Sequence, residues 1–183
     1  MRFLKNVFSQ FHRWVAWALI SAVFWGWIFG IVTDTSPARK VTLYAQVDAM
    51  EEKALALALE AEKPASIKMV KAHPFSYAVF GTDDLDNADI YVVRASEAEN
   101  YLNNFIPLDE AGFDPGDREV YRAEGKVYGV KAFDAASGEG AALAHLDYDG
   151  DQDCYLFFNR KSVHLAEGDG AALEVAGAFL DLD

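Results

Sequence analysis

Cysteine is almost missing from this chain: Cys154 is the only one among 183 residues. An internal disulfide is excluded, and a thiolate zinc site lacks its ligands. Histidine is scarce too, and His12, His73, His145 and His164 are scattered without metal-ligand spacing. No serine sits in a G-x-S-x-G elbow, and Gly138-Glu139-Gly140 lacks the following Lys-Ser/Thr of a phosphate-cradling loop. Bases are outnumbered, 16 Lys+Arg against 29 Asp+Glu. A net charge of −13 argues against a nucleic-acid binder, because phosphates need Lys and Arg to neutralise them. Internal repeats and low-complexity tracts are absent, and the length suits one domain of ordinary size.

Acids are wholly missing from residues 1–32, which carry Arg2, Lys5 and Arg13. All 29 acids therefore fall in residues 33–183, against 13 bases. Within the first piece, Trp14 to Val32 has no charged residue and contains all four tryptophans, Trp14, Trp17, Trp25 and Trp27. At 1.5 Å per residue this run spans about 28 Å, close to the hydrocarbon thickness of a bilayer. A cleavable signal peptide has a shorter apolar core and a small-x-small cleavage site. Here the run is followed by Thr33-Asp34-Thr35-Ser36-Pro37, and an uncleaved anchor is expected. The bases precede the helix, so residues 1–13 are expected in the cytoplasm and the rest outside. Gly26-x-x-x-Gly30 matches the small-xxx-small pattern of packed membrane helices, a weak signal because glycine is frequent in such helices.

Residues 33–40 read as a polar linker, and residues 41–183 as an extracytoplasmic α/β domain. Strands are expected at Val41–Val47, Ile67–Ala72 and Ile90–Val93. Helices are expected at Ala49–Lys63, as one turn at Ser76–Phe80, and at Ser96–Phe105. That alternation predicts a parallel sheet with crossover helices. Further strands are expected at Val120–Ala123 and Lys126–Val130, flanking a turn at Glu124-Gly125. Two more, Ala141–Tyr148 and Cys154–Phe158, flank an acidic turn. A last helix, Gly170–Leu180, is expected to be capped by Asp169.

Residues placed after the expected strands make a candidate binding face, because open α/β sheets bind ligands outside the carboxyl ends of their strands. They are Asp48, His73, Phe75, Ser76, Tyr77, Arg94, Ser96 and Ser137. Ser96-Glu97-Ala98-Glu99 also reads as a capping box, which needs no ligand. Asp147, Asp149, Asp151 and Asp153 lie at alternate positions and suit calcium, a hard cation that takes many oxygens. The EF-hand template fails, since its glycine position is Gln152 and its final glutamate position is Phe158. Asp and Gly are also turn formers, and a solvated turn accounts for the same residues. Cys154, inside an expected strand, reads as a small buried apolar residue. With no nucleophile–base pair and no metal cluster, the chain is expected not to be an enzyme and to need no cofactor.

Several short segments occur in a familiar order: Ala88-Asp89-Ile90-Tyr91, Ile106-Pro107-Leu108-Asp109, Gly125-Lys126-Val127-Tyr128-Gly129 and Tyr155 to Lys161. This order resembles the first lobe of the extracellular solute-binding proteins of ABC importers, from about Val41 to Val163. The resemblance implies one lobe similar to that of a type II periplasmic binding protein, so the expected fold is α/β: an N-terminal transmembrane helix, a departure from that family, then a mostly parallel open-sheet lobe with a β-hairpin addition. It also implies a small polar solute or a transporter component as partner. Those proteins close two lobes over a cleft, whereas about 150 residues make one lobe. Lys131 stands where the family has a proline after Tyr-Gly. The alternative expectation is an accessory subunit of a membrane or envelope complex without a small-molecule ligand. Protease added to intact cells is expected to remove the C-terminal domain and leave the anchor; full protection would reverse the orientation.

Overall fold

The structure, a computed structural model, describes residues 2–33, 35–75, 88–165 and 168–182. The chain divides into two compact units, Met1–Thr35 and Ser36–Asp183. The first is one helix, α1 (Arg2–Thr33). Its described side chains lie at positions 11 and 13–29 and are nearly all exposed, including Trp14, Trp17, Trp25 and Trp27. Among the described residues no helix is long and apolar enough to cross a membrane. Those side chains end at Phe29, so they cover only part of the uncharged run 14–32.

The second unit begins with a 3₁₀ turn, Pro37–Arg39, that leads into β1 (Lys40–Ala45). Then come β2 (Ala49–Met50), α2 (Glu52–Glu62), β3 (Met69–Pro74) and β4 (Ile90–Arg94). After β4 the chain makes one turn of helix, α3 (Ala95–Ala98), a 3₁₀ stretch Glu99–Asn104, β5 (Phe105–Ile106) and α4 (Leu108–Ala111). The remainder is β6 (Val120–Ala123), β7 (Lys126–Asp134), β8 (Glu139–Gly140), β9 (Leu146–Asp147), β10 (Cys154–Asn159) and α5 (Ala171–Leu180). The main sheet runs β3-β1-β4-β10-β7-β6, and β2 pairs with β9 in a separate ribbon.

The expected α/β class, with parallel strands joined by crossovers, is present. β1 is parallel to β3 on one side and to β4 on the other. The order therefore reverses at β1, the topological switch point of an open α/β sheet. From β10 onward the pairing is antiparallel. Glu124 and Gly125, at φ 49° and 78°, make the two-residue β6–β7 turn, where a left-handed pair matches the strand twist.

Some elements depart from expectation. Ala49 and Met50 are taken from the expected helix into β2, so α2 starts at Glu52. The expected helix Ser96–Phe105 breaks after Ala98 into 3₁₀ geometry. Of the expected strand Ala141–Tyr148, only Leu146 and Asp147 pair, because the preceding residues turn back and Ala142 sits at φ 55°. The capping box does not form, since Arg94 takes the cap position and Ser96 lies inside α3. Gly170 is the N-cap of α5, and Asp169 Oδ1 accepts from Ala171 N at 3.1 Å. The expected turn at Ser76–Phe80 lies outside the described residues.

Side chains alternate across the sheet with period two. Leu43, Ala45, Ile90, Val92, Leu156 and Phe158 face one way and are covered by α2 and α5, whose Leu55, Leu59, Val175 and Phe179 complete that core. Tyr44, Tyr91, Val93, Tyr155 and Phe157 belong to an aromatic layer with Phe75, Tyr101 and Phe105. Phe105 and Phe157 stack with centroids 4.3 Å apart. Gly129 permits this layer to close: a Cβ there would lie 2.7 Å from the Phe157 ring and 2.9 Å from the Leu156 carbonyl. Phe157→Ala is expected to cost about 3–5 kcal/mol of stability. Gly129→Ala is expected to cost about 1–3 kcal/mol by overpacking. Denaturant unfolding measures both; an unchanged midpoint for Gly129→Ala would mean that the ring moves aside freely.

Candidate functional site

The carboxyl ends of β1, β3 and β4 lead into Gln46, Phe75 and Ala95 respectively, and the backbone ties them together. Gln46 N donates to Val92 O at 2.8 Å, and Phe75 N donates to Ala45 O at 2.7 Å. Ala95 N donates to Asp153 O at 2.8 Å, which brings the acidic loop before β10 onto the same edge. Beside α3 lies an open groove of about 650 Å³, lined by Ala95, Ser96, Ala135, Ala136 and the loop Gly150–Asp153.

Arg94 stands at the centre of this edge with its side chain 20% exposed. Its Nη2 contacts Asp48 Oδ1 at 2.8 Å and Asp149 Oδ2 at 3.5 Å. Gln46 Oε1 accepts from its backbone N at 3.1 Å. Two carboxylates therefore share one guanidinium, which leaves the edge acidic. Ser96 Oγ bonds to Gln152 Oε1. Ser137 lies in the turn after β7, its Oγ accepting from Glu139 N at 3.2 Å. Asp48, Arg94, Ser96 and Ser137 are thus gathered around the acidic loop and the β7–β8 turn.

His73 and Phe75 go elsewhere. His73 tilts against Tyr44 at 5.5 Å and meets Glu52 Oε2 at 2.9 Å, at the start of α2. Phe75 is buried in the aromatic layer against Tyr91 and Tyr101. Ser76 and Tyr77 lie outside the described residues.

The calcium expectation concerned Asp147, Asp149, Asp151 and Asp153. Among the described residues no group of three or more His, Cys, Asp or Glu could hold a metal ion. The alternate aspartates are drawn apart by their partners. Asp147 is in β9, and Asp149 turns to Arg94 and accepts from Asp151 N at 3.3 Å. Asp153 accepts from Ala135 N at 2.9 Å and from Lys131 Nζ at 3.0 Å.

Lys131 was not among the expected site residues, yet it organises the far wall. Its side chain is 13% exposed and also meets Glu119 at 2.7 Å and Asp134 at 3.2 Å. Burial works against its charge, but the three carboxylates outweigh that and hold its pKa above the ordinary lysine range. Tyr155 donates to Glu119 Oε1 at 3.2 Å, and burial pushes its phenol up to about 12. Cys154 is fully buried, and loss of solvation raises its thiol to about 12, so it carries no thiolate at neutral pH. Only the departure from the family's proline drew attention to Lys131 in the sequence; Glu119 and Asp153 are too far along the chain to signal the cluster.

No family model matches the chain, and no curated protein matches it. Among solved structures, thiaminase I from Bacillus thiaminolyticus is similar at a TM-score of 0.35 and 14% identity. The match covers 51% of this chain and only 28% of that one. A likeness of this size carries no argument for a shared activity. It does correct one expectation: the similar protein is by its name an enzyme, so absence of catalysis is not assigned to this chain. Lys131→Met and Asp153→Asn, combined in a double-mutant cycle, are expected to show a coupling of about 1 kcal/mol that shrinks with added salt. A coupling of zero would mean that Glu119 and Asp134 hold the lysine without Asp153.

Proposed function

We propose that this chain is a membrane-anchored α/β domain that displays its carboxyl-edge groove outside the cell to a small polar solute. The observation that carries the reading is the groove beside Ser96, at the carboxyl end of β4. It lies at the carboxyl end of a parallel strand, the edge where open α/β sheets bind ligands, and is lined from the end of β4, the loop before β10 and the β7–β8 turn. The resemblance to the first lobe of solute-binding proteins supports the same solute class and a transporter component as partner. Anchoring is supported by the uncharged run 14–32, its four tryptophans and the bases before it. One lobe supplies one wall of a cleft, so binding here is weak unless a second wall is provided.

A second reading, an accessory subunit that docks on a membrane or envelope complex, has its own observation. Much of the polar surface of this edge is already paired, as Arg94 Nη2 with Asp48 and Ser96 with Gln152, although the buried Arg94 Nε has no hydrogen-bond partner among the described residues. A thermal-shift screen of the full chain in detergent, against sugars, amino acids, oligopeptides and phosphates, separates the two. A ligand at one hundred times its Kd is expected to stabilise by about 2.7 kcal/mol, and Ser96→Ala to weaken the effect. No stabilisation by any class, together with cross-linking of this edge to a membrane protein, would favour the accessory subunit.

A further inference from the structure

His164 is 1% exposed and takes no part in the groove. Its Nδ1 lies 2.8 Å from Asp169 Oδ1 and its Nε2 lies 2.9 Å from the Pro37 carbonyl. Both partners can only accept. A neutral imidazole carries one N–H and would face one of them with a lone pair, so this geometry calls for the imidazolium, which donates twice. We propose that His164 is a proton-operated latch: as imidazolium it fastens the strap Ser36–Arg39 to the loop before α5, and on losing a proton it lets the strap go.

The surroundings favour the charged ring. Burial opposes the charge, but the Pro37 carbonyl and the Asp169 carboxylate outweigh it and raise the pKa of His164. Among the described residues, the charged groups acting on the ring are Asp169, ahead of α5, and Asp89, at the start of β4. Asp89 is itself buried and accepts from Thr42 N at 2.8 Å and Ser162 Oγ at 2.6 Å; Lys40 acts on it from β1. Asp169 is held below the usual carboxylate range because, against some burial, it accepts from His164 and from Ala171 N. An ionised Asp169 keeps the proton on Nδ1. The proton lost first is therefore the one on Nε2, and Pro37 is the partner released.

The direction with pH follows. A folded-state pKa raised above about 6.5 gives stabilisation that is complete below that value and is lost as pH rises through the folded value. The strap is fastened on the acid side and freed on the alkaline side. Its backbone reports the change, because Lys40 N also donates to Pro37 O and Arg39 N donates to Ser36 O at 2.8 Å within the strap.

Hydrogen exchange of the full chain in detergent, corrected for intrinsic rates, tests the latch at the Arg39 and Lys40 amides. Exchange there is expected to rise about tenfold between about pH 6 and about pH 8.5, the loss of one hydrogen bond from a charged donor. Asp169→Asn is expected to move the midpoint to lower pH, and His164→Gln, which does not titrate, to abolish it. If His164→Gln does not fold, Asp169→Asn and the ring nitrogen shifts of the unmodified chain decide. Equal protection at both pH values, or a singly protonated ring at about pH 6, would overturn the proposal.

Discussion

Strand β10 is buried at all six positions, and the rest of the domain is arranged around it. It pairs with β4 on one side and β7 on the other, and β5 continues the pairing at its end. It thereby joins the parallel half of the sheet to the antiparallel half. Leu156 and Phe158 enter the core under α2 and α5, while Tyr155 and Phe157 enter the aromatic layer. A strand with both faces and both edges covered must have its polar groups satisfied within the protein. Its final residue, Asn159, is 2% exposed and donates to Ala88 O at 2.6 Å, so even its polar end is satisfied.

The same strand sets the chemistry at the sheet's carboxyl edge. Because β10 runs antiparallel to β4, the loop before it returns to the edge where β4 ends. That loop is the acidic one, and it meets the two cations that end up there, Arg94 from β4 and Lys131 from β7. Asp149 and Asp153 meet these cations and the backbone amides of Asp151 and Ala135. The groove is what remains between α3, this loop and the β7–β8 turn.

Much of the fold was legible because it is written locally. The strands β1, β3, β4, β6, β7 and β10 announce themselves by branched and aromatic residues, and α2 by Ala, Leu and Glu. The misread elements are those where a distant strand intervened. Ala49 and Met50 have helical company in the chain, yet they pair with Leu146 and Asp147 almost a hundred residues away. Ser96 and Glu99 have the spacing of a capping box, but Gln152 takes the serine hydroxyl. The candidate face was half legible. Asp48, Arg94, Ser96 and Ser137 gather at one edge, whereas Phe75 is buried in the aromatic layer and His73 turns to Glu52.

Composition and order by themselves determined the division into an acid-free apolar segment and an acidic α/β domain. They also determined the alternation of strands and helices, and the exclusion of an internal disulfide and a thiolate zinc site. These depend on residue type and on neighbours a few positions away. Tertiary structure alone decided which charges meet. Lys131 collects carboxylates from positions 119, 134 and 153, and His164 reaches the carbonyl of Pro37 across 127 positions. Such pairings are set by sheet order and strand direction, which bring far-separated residues within hydrogen-bonding distance and leave no periodic trace along the chain.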